Sequence, residues 1–237
     1  MSSISPRAQF WRGARDTFPL LVGALPFGII FGALAVTSGL SARGAAAMSV
    51  FVFAGSAQFI AVGLVAAGTP LFIIWLTTFV VNARHILYSA TLAPHLESLP
   101  VRWLVPLGFW LTDESFVVAA KKFEEEPKSP NKNWYLLGSE VAMYLNWQAV
   151  TAVGIVAGQS IPDPSSWGLD YALVVTFIGM LVPMVKGKPM LAAALVAGGA
   201  AMLANGLPHQ TGLLLAAILG ISAGVLAERA WPQEAKT

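Results

Sequence analysis

The sequence predicts an all-α, polytopic membrane protein with about eight transmembrane helices. Three observations predict it. Of the 237 residues, 56% are hydrophobic and only 11% are charged, against about 25% charged in soluble domains. The mean hydropathy is +0.68, and so little polar surface cannot cover a globule in water. Apolar runs long enough to cross a bilayer also recur from end to end, and the segments between them hold nearly all the basic residues.

The runs are 17 to 40, 45 to 67, 70 to 94, 103 to 120, 134 to 160, 169 to 186, 189 to 206 and 210 to 228. The first follows Arg7, Arg12 and Arg15. It is too long for a signal-peptide core and has no small-residue cleavage site, so it reads as a retained span. Only "AGTP" divides the second run from the third, and only "KGKP" the sixth from the seventh. If either pair is a hairpin of shorter helices or holds a re-entrant element, the count is seven. The fourth run ends in "KKFEEEPKSPNKN", residues 121 to 133, a charged, proline-containing connector rather than a domain.

With eight spans the basic residues alternate by side. One side holds Arg7, Arg12, Arg15, Lys121, Lys122, Lys128, Lys132, Lys186, Lys188, Arg229 and Lys236, and the other only Arg43 and Arg102. The positive-inside rule then places both termini, the tail 1–16, the loop 121–133 and the tail 229–237 in the cytoplasm. The whole chain, 1–237, reads as one transmembrane transporter domain. A net charge of +2 distributed this way gives no nucleic-acid patch. The absence of cysteine removes disulfides, thiolate metal sites and a cysteine nucleophile, and no motif calls for a metal or cofactor.

The polar residues of the first five runs collect near one depth. They are Pro26 and Gly28 in the first; Gly55, Ser56 and Gln58 in the second; Asn82, Arg84 and His85 in the third; Asp113 and Glu114 in the fourth; Asn146 and Gln148 in the fifth. An ionisable residue at the bilayer centre costs roughly 2.5–3.5 kcal/mol on insertion scales. Such residues must face one another or a water-filled cavity, so these runs are expected to surround a polar midplane site. Prolines and glycines at that depth predict broken helices, whose exposed amides favour a carboxylate.

Each residue also has a plainer role. Arg84 either binds a ligand or forms an ion pair with Asp113 or Glu114 that fixes helix register. His85 is either a proton carrier or a neutral ring satisfied by a carbonyl. Asn146 and Gln148 fit interhelical hydrogen bonding as well as ligation. Asp113 and Glu114 are about 100° apart on a helix, so one of them, by preference Asp113, faces the cavity.

"LPFGIIFGALA", "FVFAGSAQFIA", "VVNARHILYSATLAPHL" and "LTDESF", in that order and spacing, resemble the AzlC family, the large subunit of two-component branched-chain amino acid exporters linked to azaleucine resistance. The resemblance is close over the first four runs and looser beyond. It implies export of valine, isoleucine, leucine and methionine across a bacterial plasma (inner) membrane, with a small AzlD-like membrane subunit as partner.

A zwitterion with an aliphatic side chain needs one partner for its carboxylate, one for its ammonium, and an apolar pocket. Arg84, with amides near Gly28 or Gly55, suits the carboxylate. Asp113 or Glu114 suits the ammonium, and Ser56, Gln58 and Asn82 add hydrogen bonds. Phe27, Phe53, Phe59, Trp110 and Phe116 are candidate walls. The chain has no "GxxxxGK[ST]" loop, so proton coupling through Asp113, Glu114 or His85 is the simplest drive. The small residues of "MLAAALVAGGAAMLANG" suit close helix packing, against the small subunit or within this chain. The alternatives are a channel-like or structural subunit and a transporter of another small solute. An intramembrane enzyme is the weakest, for want of "GxSxG" or "HExxH".

Overall fold

The computed structural model describes residues 4–160, 178, 182, 185, 187–207 and 211–231, which include ten helices. In chain order these are α1 (Pro6–Thr37), α2 (Ala42–Val52), α3 (Gly55–Ala66), α4 (Leu71–Asn82), α5 (Arg84–Leu96), α6 (Val101–Trp110), α7 (Asp113–Glu125), α8 (Lys132–Gln159), α9 (Lys188–Leu203) and α10 (Thr211–Ala230). Pro6–Thr37, Leu71–Leu96 and Lys132–Gln159 are each long and apolar enough to cross a membrane. Ala42–Val52, Gly55–Ala66 and Lys188–Leu203 are shorter apolar helices. Most of the expected span 169 to 186 lies outside the described residues.

Helix α1 starts eleven residues before the apolar run does. Ser5 caps it by accepting from the Ala8 amide, and Pro6 occupies a first-turn position where its missing N–H costs nothing. The charged turns 7–16 are helical because α8 and the loop before it hold them. The Tyr135 hydroxyl donates to Asp16 at 2.7 Å, and Arg12 pairs with Glu126 at 2.9 Å. The helix closes at Ser38–Gly39, where Gly39 has φ +98 and the Leu40 amide returns to the Ala35 carbonyl.

The α1–α8 pair is the structural spine. Thr17 meets Ser139 at 2.6 Å, Asn146 donates to the Leu21 carbonyl at 3.2 Å, and a methyl group added to Gly154 would stand 2.1 Å from the Ile29 carbonyl. Partners on the two helices rise in number together, so α1 and α8 run parallel. The intervening chain must therefore return to its starting level, and it does so as α2–α3, α4–α5 and α6–α7.

Those three segments are interrupted, each for a different reason. Between α2 and α3, Phe53 has φ +23 and Ala54 is extended, a strained corner relieved where Gly55 restarts the helix. Between α6 and α7, Leu111 turns to ψ 125 and Thr112 caps α7. Ala83 keeps helical angles between α4 and α5 while the hydrogen-bond pattern slips. The expected break in the first span does not occur: α1 continues through Pro19 and Pro26. Packing against α8, including the Asn146 bond to Leu21 just before the turn that Pro26 interrupts, supports it there.

Helices α9 and α10 pack as a pair. Methyl groups added to Gly220 and Gly224 would meet Ala197 at 2.7 Å and Ala193 at 3.1 Å, so part of the small-residue run serves packing within the chain.

Candidate functional site

A cavity of about 550 Å³ opens between α1, α3, α5, α7 and α8. That volume lies in the usual range of small-molecule sites. Its walls are mainly apolar: Phe27 from α1, Phe59 from α3, Phe116 from α7, and Met143 and Trp147 from α8. Tyr88 stacks on Phe116 at 4.4 Å and closes one side.

The polar groups come from helix starts. Arg84 is the first residue of α5, and its guanidinium spans two broken segments. Its Nη2 donates to Ser56 Oγ at 2.5 Å, in the first turn of α3, and its Nη1 pairs with Asp113 Oδ2 at 2.7 Å, the first residue of α7. Arg84 Nε and Asp113 Oδ1 are buried without a hydrogen-bond partner.

The two facing helix starts differ in charge. Helix α3 has no side-chain cap, so the amides near Gly55 and Ser56 leave the positive end of the helix open beside Arg84. Helix α7 is closed by its own residues: the Thr112 amide donates to Ser115 Oγ at 2.9 Å and the Ser115 amide to Thr112 Oγ1 at 3.3 Å. Its first turn also carries Asp113 and Glu114. The open start of α3 with Arg84 thus favours an anion, and the acidic first turn of α7 beside them favours a cation.

Among the residues singled out by sequence, Arg84, Asp113, Ser56, Gly55, His85 and Glu114 line this cavity. His85 Nδ1 lies 3.0 Å from the Asn82 carbonyl. Gly28 is a packing position, since an added methyl group would stand 2.2 Å from Val150. Gln58 is fully buried beyond the cavity wall, and Asn82 also stands outside the lining. Asn146 and Gln148 donate to the carbonyls of Leu21 and Ser49 and so join helices. Trp110 packs on Tyr144 rather than lining the site.

Tyr88 shares a helical stripe with Arg84, whereas Met143 and Trp147 are lining residues that the sequence does not single out. Met143 and Trp147 belong to the span whose Asn146 and Gln148 drew attention, and a four-residue helical spacing from Met143 to Trp147 is the signal that identifies that face. Among the described residues no group of histidines and carboxylates is arranged to hold a metal ion. A second cavity, of about 290 Å³ between α5, α6 and α8, is almost wholly apolar; its lining has Glu97 but no cationic residue for a carboxylate.

The AzlC protein family model matches residues 19–161, which contain every residue that lines the larger cavity. The chain belongs to the AzlC family. An uncharacterized membrane protein of Archaeoglobus fulgidus is 35% identical over 224 residues, covering 93% of this chain and 96% of that protein. The branched-chain amino acid transport protein AzlC of Bacillus subtilis is 29% identical over 184 residues, 76% of this chain and 70% of its own length. The inner membrane protein YgaZ of Escherichia coli is 28% identical over 181 residues, with coverages of 74% and 69%. No solved structure matches the chain. Apolar helices and membrane relatives together make this AzlC-family chain a multi-pass membrane protein.

Proposed function

We propose that this chain is the substrate-bearing subunit of a secondary transporter that exports valine, isoleucine and leucine, and with them methionine, across the plasma membrane. The observation that carries the reading is Arg84, held between the open start of α3 and Asp113 at the start of α7, inside an otherwise apolar cavity. The substrate carboxylate docks at Arg84 and the α3 amides around Gly55 and Ser56. Its ammonium docks at Asp113, and the aliphatic side chain lies among Phe27, Phe59, Met143 and Trp147. Gln58 and Asn82 act one layer behind, in the broken segments, and Gly28 lets α1 approach α8. The relationship to the Bacillus subtilis branched-chain amino acid transport protein supports the substrate class.

In the same reading the protein forms one domain of eight spans with both termini in the cytoplasm, as the distribution of Lys and Arg favours. It works with a small AzlD-like membrane subunit and performs no catalysis. Export is driven by proton antiport, with Asp113, Glu114 and His85 as ionisable groups in the cavity.

The test is efflux of valine, isoleucine and leucine from dipeptide-fed cells that express this chain with a small AzlD-like membrane subunit. Wild type exports all three and shows saturable counterflow, which a channel does not. A second reading, in which Arg84 is a strut, is favoured by the short Arg84–Asp113 pair itself. It predicts that Arg84→Gln lowers protein yield but leaves efflux per molecule unchanged.

A further inference from the structure

Glu140, on α8, has no role in the binding site, yet it is 0% exposed and neither of its carboxyl oxygens has a hydrogen-bond partner. An unpaired charge in such a place is strongly disfavoured. Arg7 and Arg15 on α1, Arg102 on α6 and Glu124 on α7 are exposed, and the less exposed ionisable groups on the surrounding elements are engaged elsewhere. On α1, Asp16 accepts from Tyr135 and Arg12 pairs with Glu126. On α7, Lys122 pairs with Glu126 and Asp113 with Arg84, while Glu114 lines the cavity beside them. On α5, Arg84 is shared between Ser56 and Asp113, His85 meets the Asn82 carbonyl, His95 meets Lys132, and Tyr88 stacks on Phe116. On α8 itself Tyr144 donates to the Val50 carbonyl.

Its place in the fold is equally specific. Helical spacing puts Glu140 on the stripe of Leu136, Met143 and Trp147. Met143 and Trp147 line the cavity, whereas Leu136 belongs to the apolar cluster with Ala119 and Phe123 that closes the α7–α8 end toward the 126–131 loop. The carboxyl therefore stands one turn beyond the cavity wall, in the apolar layer between the site and that side of the membrane.

We propose that Glu140 is the proton-carrying group of the transport cycle, distinct from the groups that bind substrate. The proposal rests on the secondary-transporter reading and assigns its coupling site. In this arrangement Glu140 is held as an uncharged carboxylic acid. When the α7–α8 layer parts and water reaches it, the O–H bond breaks, the proton passes to that water, and the carboxylate is stabilised by hydration. Rebinding one proton from the opposite side restores the acid and lets the layer close, so one proton moves inward for each amino acid moved outward. Asp113 keeps its place in the substrate site throughout.

The experiment uses the full chain with its small membrane partner in proteoliposomes. Glu140→Gln, which keeps the shape of the neutral acid, is expected to retain valine counterflow and to lose the acceleration of transport by an imposed pH gradient. Glu140→Asp, which keeps the carboxyl, is expected to restore part of that acceleration. Independently, dicyclohexylcarbodiimide, which attacks protonated carboxyls in apolar surroundings, should label Glu140 in wild type, with labelling that falls as pH rises. Retention of gradient-driven transport with an unchanged pH profile in Glu140→Gln overturns the proposal. Failure of Glu140 to label at mildly acidic pH also overturns it, even if the variants do not fold. Absence of valine counterflow in wild type would instead strike the substrate assignment, leaving the labelling result to decide the proton site.

Discussion

Arg84 and Asp113 each begin a helix, α5 and α7, and their side chains meet at 2.7 Å. The pair ties two interrupted segments together at the floor of the cavity, and Ser56 brings in a third. With side chains 22% and 35% exposed, it is neither buried beyond the reach of water nor free in it. A substrate's charges can therefore compete for it without a prohibitive desolvation cost.

Removing one partner should hurt more than removing both. Asp113→Asn leaves the guanidinium uncompensated and is expected to destabilise the protein by about 2–4 kcal/mol. Arg84→Gln combined with Asp113→Asn should recover part of that loss. Thermal unfolding of the four proteins in detergent, arranged as a double-mutant cycle, reads the coupling.

The α1–α8 spine depends on close backbone approach at Gly154. Gly154→Leu drives its side chain at the Ile29 carbonyl, which a methyl group alone would approach to 2.1 Å. A loss of stability of at least about 3 kcal/mol is expected. At Gly198 nothing lies within 4 Å of an added methyl group, so Gly198→Ala should be harmless. Yield and melting temperature distinguish the two.

Met143 borders the space assigned to the substrate side chain. Met143→Ala should enlarge it and shift preference from valine toward leucine and methionine. A methylene in such a pocket is worth about 1–3 kcal/mol, so the ratio of competition constants should change roughly tenfold or more. An unchanged ratio would place the aliphatic group elsewhere.

The loop end of the spine should be sensitive to acid. Hydrogen bonds from Lys122 and Arg12 hold the Glu126 carboxyl below its ordinary range. A depressed folded value means that this contribution is fully present above the unfolded-state pKa and is lost as pH falls through the folded one. Melting temperature should therefore drop on acidification more in wild type than in Glu126→Gln. Because Glu126 is well solvated, the difference should be small and should shrink with salt.

Much of this was legible in sequence because membrane physics restricts where polar atoms can go. Arg84, Ser56 and Asp113 stood out as polar groups at one depth in apolar runs, and the structure brings those three together. The break before Gly55 was likewise signalled by glycine. Other features left no such mark. Pro26 suggested a break, yet α1 passes through it because α8 supports that turn from outside. The interruption at Leu111–Thr112 contains no proline or glycine, and its signal is the capping pattern "TDES", easily passed over beside two acids. Glu140 escaped notice because it lies off the common depth. Only three-dimensional packing reveals that no cation reaches it.

The central claim is that Arg84 receives the substrate carboxylate. Its most direct test is equilibrium binding of radiolabelled valine to the purified complex, wild type against Arg84→Gln, with folding of both checked by thermal unfolding. The account predicts saturable binding in wild type, displaced by leucine but not by valinamide, and at least about a tenfold weakening in the variant, as expected for a lost charge-assisted contact. Equal affinity in a folded Arg84→Gln protein would contradict the claim and leave the arginine as a strut between α3 and α7.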